Sequence, residues 1–226
     1  MPEALPLFPL GSVLFPGVLL PLHVFEERYR MLVRTLLDGP EDEPRRFGVV
    51  AIRQGHDASA DAIGALHPVG CAAELRRVDH RSDGTYDLVT VGVRRFRLRQ
   101  VDTEQAPYLI GDVDWLPAEL PAGPEATVLA ARVRELFEGY LAAIAATGGA
   151  EVTPYELPEE PSVLSYLVAS ATLLTLEDRQ SLLELDDTAA RLRAEVALLA
   201  RETVLVRELH AVPTSLAELE ARVDTG

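Results

Sequence analysis

The side chains able to do chemistry in this chain are few and scattered. Of the five histidines, His56 and His67 bracket Asp57 and Asp61, the one set that could be imagined as a metal site. That set follows none of the standard metal-ligand spacings, and a solvated loop is the better account. Glu26 and Glu27 are adjacent, so on a helix they diverge rather than share a proton. They suit the positive end of a helix instead. Cys71 is the one cysteine, which leaves no internal disulfide and no multi-cysteine zinc site. It reads as a small apolar residue in a strand. GxxxxGK, HExxH and GxSxG are all missing. The chain has no lysine, so all 21 basic residues are arginine. A P-loop lysine, a Schiff base and a Ser-Lys dyad are therefore impossible within it. The expectation is no catalytic residue, no metal and no cofactor.

Charge narrows the partners. The net charge of −15 opposes general binding to nucleic acid or to an anionic membrane surface. One stretch runs against it. Between Cys71 and Val101 stand seven arginines (76, 77, 81, 94, 95, 97 and 99) against Glu74, Asp79, Asp83 and Asp87. Arg95, Arg97 and Arg99 alternate, so a strand would place them on one face. Such a face can track phosphates, although few aromatic side chains are at hand to stack bases. It equally suits an exposed or ion-paired sheet face, and RNA binding there is the alternative function.

The elements that carry these residues begin with "LPLFPLGSVLFPGVLLPLHVFEERYR" from Leu5. From Ala4 to Phe25 no side chain is formally charged, and about 20 apolar residues would suffice to span a bilayer. Pro6, Pro9, Pro16 and Pro21 break any continuous helix. The start Met-Pro-Glu lacks the positive charge of a signal peptide. A cytoplasmic protein with no membrane segment is expected. Leu5–Leu10 and Val18–Leu22 read as buried strands joined by a turn at "FPG", Phe15 to Gly17. Phe25, Tyr29, Leu32, Val33 and Leu36 then take helical spacing.

Strands are predicted at Phe47–Ile52, Cys71–Val78, Tyr86–Val93, Phe96–Val101 and Tyr108–Trp115. Asp83-Gly84 signals the hairpin. Short strands with glycine turns indicate a small barrel or folded sheet. The composition then changes. Helices are predicted from Pro124 to a stop at Gly148, from near Ser162, after a Thr175 cap, and after Asp187, with a short tail helix at Ser215. From Glu119 onward 19 acids face 8 arginines. The predicted fold class is α+β, with a β-rich domain over residues 1–118 and a helical domain over 119–226.

These residues carry a resemblance. "LPLFPLGSVLFPGVLLPLHVFEERYRMLV", "RFGVVAI", "IGALHPVGCAAELRRV" and "LVTVGVRRFRL" strongly resemble successive segments of the N-terminal, substrate-binding LON domain of Lon proteases. "LLTLEDRQSLLELDDTAARLRAEVALLARE" is similar to that family's closing helices. The resemblance implies a PUA-like pseudo-barrel followed by a helical bundle. It implies a stand-alone, non-catalytic module, without the ATPase and protease parts of Lon. Its partners would be unfolded or client polypeptide, with a separate protease or chaperone receiving them. Phe15 and Pro16 at a turn tip and Trp115 near the junction of the halves are the expected polypeptide contacts. The arginine-only, alanine-rich composition fits a bacterial source.

Overall fold

The computed structural model describes residues 3–40, 42–53, 64–119, 122–147 and 157–209. They form β1 (Glu3–Leu10), β2 (Leu19–Val24), α1 (Glu27–Asp38), β3 (Arg46–Ala51), β4 (Val69–His80), β5 (Tyr86–Asp102) and β6 (Ile110–Trp115), then α2 (Pro124–Ala146), α3 (Pro161–Ala171), α4 (Leu176–Glu184) and α5 (Thr188–Leu209). The class is α+β. The tail-helix expectation at Ser215 and the residues His56, Asp57 and Asp61 lie outside the described residues.

Two compact units result. The first joins Met1–Pro121 to Thr175–Asp187, and the second joins Ala122–Leu174 to Thr188–Gly226. The expected domains were contiguous, residues 1–118 and 119–226. The contiguous division misses α4, which belongs with the β-rich unit although the chain reaches it after two helices of the other. Its anchor is polar: Gln180 Nε2 donates to Val69 O of β4 at 2.9 Å and to Glu184 Oε1 at 2.9 Å.

In the first unit the strand order is β2-β5-β4-β3-β1-β6, and β5 pairs again with β6. The sheet therefore closes on itself, with β2 added outside the closure. Among the described residues only β1 and β3 pair in parallel. Two strands were predicted between Tyr86 and Val101, but β5 is one strand of 17 residues. Irregular register opposite Ala72/Ala73 and at Leu98/Gln100 lets it turn from β2 and β4 toward β6, as bulges do. The interior is filled by Leu5, Leu7, Phe96, Val113 and their neighbours, all buried, while Phe8 and Phe47 pack on the sheet's other face. α1 lays Tyr29, Leu32 and Val33 against the sheet, with the Tyr29 ring stacked on Phe8 at 4.1 Å.

Phe25 is not part of that helical face. Glu26 is still extended (φ −66°, ψ 134°) and caps α1, so Phe25 precedes the helix and projects from the end of β2.

The second unit packs α2, α3 and α5 around Val133, Phe137, Tyr140, Leu164, Leu192 and Leu199. Its core also holds a polar cluster. Arg191 Nε donates to Ser165 Oγ at 2.7 Å, Ser165 Oγ donates to Glu195 Oε1 at 2.7 Å, and the Arg191 guanidinium lies 3.9 Å from the centre of the Tyr166 ring. A buried charge is tolerated on such terms, with its donors engaged and its plane against an aromatic face. The α4 cap matches its prediction: Thr175 Oγ1 accepts from the Asp178 amide at 3.1 Å. No helix among the described residues is long and apolar enough to cross a membrane.

Candidate binding site

β2 is six residues long and pairs only with β5. Among the described residues no strand covers its other edge. Beside it opens a groove of about 470 Å3, walled by Phe8, Pro9 and Leu10 of β1, Leu22 to Phe25, and Tyr29 at the start of α1. The walls are mostly apolar, which is the composition of binding clefts. Phe25 is 64 % exposed at the groove mouth, and Leu19, 63 % exposed, stands at the other end of the same strand. The polar rim is balanced. Arg28 Nε donates to Glu26 Oε2 at 2.9 Å, and His23 Nδ1 lies 2.7 Å from Asp87 Oδ1. The His23 contact, followed by the Arg81 guanidinium, holds the Asp87 carboxyl below its ordinary value. His23 and Phe25 rings lie 6.2 Å apart, nearly parallel. Burial pushes the Tyr29 hydroxyl upward, so it stays neutral at the groove floor.

The contacts expected from sequence are placed differently. Phe15 is fully buried, which corrects its expected exposure. The turn that carries it is pinned to β5: Gly17 N–H donates to Gly92 O at 2.8 Å and Gly92 N–H to Val18 O at 2.9 Å. Gly17 takes φ +77°, a conformation natural to glycine. A Cβ at Gly92 would come within 2.2 Å of Phe15 O, so only glycine allows the approach. Pro16 is half-buried on that turn. Trp115 is half-buried and already engaged. Its Nε1 donates to Glu3 Oε2 at 2.7 Å, its ring meets Phe96 edge-on at 6.3 Å, and Arg94 lies 5.4 Å above it.

The three alternating arginines do not form a free row. Arg95 is buried and donates from Nη1 to Leu183 O at 2.8 Å and Leu185 O at 2.7 Å, with Nη2 3.2 Å from Asp186 Oδ1. It closes the negative C-terminal end of α4. Arg99 Nε donates to Asp114 Oδ2 at 2.5 Å, and Arg97 is half-buried. Alternation in the sequence suggests a shared face but cannot show α4 returning to cover Arg95.

Cys71 is fully buried, and burial pushes its thiol up to about 12, so it is protonated and inert as a nucleophile at neutral pH. His67 is held below its ordinary value, first by burial and then by Arg53, with Glu184 and Glu177 pulling the other way. Among the described residues no group of three His, Cys, Asp or Glu side chains is placed to hold a metal ion.

Sequence reasoning missed the groove because Phe25 fell into a helical pattern. The signal was nevertheless present. Glu26-Glu27 marks a helix start, and the residue before such a start lies outside the helix.

The first unit is a closed sheet carrying an added edge strand, the second a helical bundle, and residues 4–201 match the ATP-dependent protease La (LON) substrate-binding domain. The chain belongs to that family. It is 28 % identical over 206 residues to Lon protease 2 of Syntrophobacter fumaroxidans, covering 89 % of this chain and 25 % of that protein. It spans about a quarter of the length of curated relatives that it matches. Among solved structures, a Lon N-terminal domain protein from Xanthomonas campestris superposes with a TM-score of 0.62 at 28 % identity, covering 88 % of this chain and 98 % of that one. The N-terminal domain of Mycobacterium avium complex Lon protease shares the fold, with a TM-score of 0.63 at 19 % identity over 89 % and 98 % of the two chains. The chain is thus a Lon-type substrate-binding module.

Proposed function

We propose that this module recognises unfolded polypeptide in the groove beside β2 and presents it to a separate protease or chaperone. The observation that supports this most directly is Phe25, a large aromatic side chain left in water at the mouth of an apolar groove. Aromatic anchors of this kind carry a large share of binding energy at protein interfaces. The proposal moves the contact from Phe15, which is buried, to Phe25 and Leu22, which line the groove. Pro16 and Trp115 remain outside it, since neither lines the groove.

The test is fluorescence anisotropy of a labelled, permanently unfolded polypeptide titrated with the protein, with an RNA of similar length as comparator. Saturable binding to the polypeptide is expected, weakened at least about ten-fold by Phe25→Asp. A polypeptide signal that never saturates, or one indifferent to Phe25→Asp, refutes the reading. RNA binding that falls steeply with salt would favour the Arg97–Arg99 surface instead.

A further inference from the structure

We infer that the bound polypeptide joins the sheet as an extra antiparallel or parallel strand along the outer edge of β2, with apolar residues at alternate positions and basic rather than acidic flanks. The inference rests on the polypeptide-binding reading above and adds the mode and the substrate class.

The argument begins with hydrogen-bond parity. In an antiparallel pair, residues alternate between those whose main chain faces the partner and those whose main chain faces away. Gly92 N–H donates to Val18 O, and the register then runs Leu20↔Thr90, Leu22↔Leu88 and Val24↔Tyr86. Val18, Leu20, Leu22 and Val24 therefore face β5, and Leu19, Pro21 and His23 face outward. Pro21 fits this independently. It has no N–H to give, and a proline sits in a strand where the donor would point away from the ladder.

The outer edge thus offers three carbonyls, at Leu19, Pro21 and His23, and two N–H donors, at Leu19 and His23. Among the described residues, none of the main-chain hydrogen bonds outside the ladders involves them. Water or another extended backbone must satisfy these groups, and a chain without structure of its own can supply one.

The side chains set the pattern. A strand alternates its side chains between two faces, so an added strand would turn every second residue toward the groove walled by Leu22, Phe25 and Tyr29. The rim charges Glu26 and Arg28 neutralise each other, which suits an uncharged central stretch. The unit that bears the groove is strongly acidic, with 23 acids against 14 arginines over residues 1–121 and 175–187. Charge complementarity therefore favours basic flanks and repels acidic ones.

The test uses a synthetic peptide with alternating apolar residues and arginine flanks, its central residues N-methylated in two complementary sets. Strand addition requires that one set weakens binding about ten-fold or more while the other leaves it within about two-fold, because only alternate amides reach β2. The protein side of the same test is His23→Pro, which removes an outward donor and leaves the inner ladder whole. It should lose about ten-fold more affinity than His23→Ala, which keeps that donor. Replacing the arginine flanks with glutamate should weaken binding further. Equal effects of the two methylated sets, or of the two His23 variants, would overturn strand addition while leaving polypeptide recognition intact. Failure of the unmethylated peptide to bind at all would overturn both.

Discussion

Phe15 and Phe25 stand outside the two ends of β2, Phe15 with no exposed surface and Phe25 with 64 % of its surface in water. The side chains are identical, so the difference lies in the backbone that presents them. At the Phe15 end, Gly17 and Gly92 let the turn lie flat on β5 and drive the ring inward. At the Phe25 end, the chain must leave the strand and enter α1 at Glu26, and the ring has no wall to turn toward. One phenylalanine holds the fold and the other is free to hold something else. The substitution that breaks this contrast most severely is Phe15→Ala. It removes a fully buried ring and should destabilise the protein by about 3–5 kcal/mol in chemical denaturation. Phe25→Ala should change stability by less than about 0.5 kcal/mol, yet weaken polypeptide binding. Equal stability losses at the two positions would erase the distinction.

Arg95 and Arg99 give a second contrast within one strand. Arg95, itself buried, binds the Leu183 and Leu185 carbonyls at the end of α4 and reaches the exposed Asp186 carboxylate. Arg95→Ala should cost about 2–4 kcal/mol, since it removes a buried side chain and leaves the buried Leu183 carbonyl without its donor. Hydrogen exchange should show α4 opening before the sheet. A loss of stability with α4 as protected as before would mean that the arginine acts elsewhere.

A smaller effect follows from His67. Its imidazole nitrogen Nε2 is buried with no hydrogen-bond partner among the described residues, and burial with Arg53 nearby lowers its pKa below 6.5. A group depressed in this way binds fewer protons folded than unfolded. Stability is therefore full above about pH 6.5 and falls as the pH drops below that value toward the folded-state pKa. Denaturation midpoints at pH 7 and pH 5 should differ in that sense, and the difference should shrink in His67→Gln. An unchanged slope in the variant would assign the acid sensitivity to other groups.

Much of this was legible from the residues. Period-two and helical spacing located most elements, and Thr175 announced its own helix by its cap. The α+β class followed from the change in composition near Pro117. What sequence could not reveal were the returns of the chain upon itself. α4 rejoins the sheet through Gln180 and Arg95, a long-range event that leaves no local periodicity. Arg95, Arg97 and Arg99 look equivalent in sequence because alternation reports the face and not what later covers it. The same blindness made Phe15 look like an exposed tip, since the glycine that receives its turn lies 77 residues away at Gly92.

The smallest predicted effect therefore tests the covering most cleanly. Arg99 and Asp114 form an exposed pair, with both side chains more than a third in water. Their attraction is largely screened there, and holding two long side chains in one geometry offsets what remains. Arg99→Gln should thus shift stability by no more than about 0.5 kcal/mol, and less at high salt. Set against Arg95→Gln, four residues earlier on β5, the comparison isolates burial as the variable, because residue type, replacement and strand are shared. If Arg99→Gln proved as damaging as the Arg95 change, the alternating arginines would act as one electrostatic unit, and the special role assigned to the end of α4 would have to be given up.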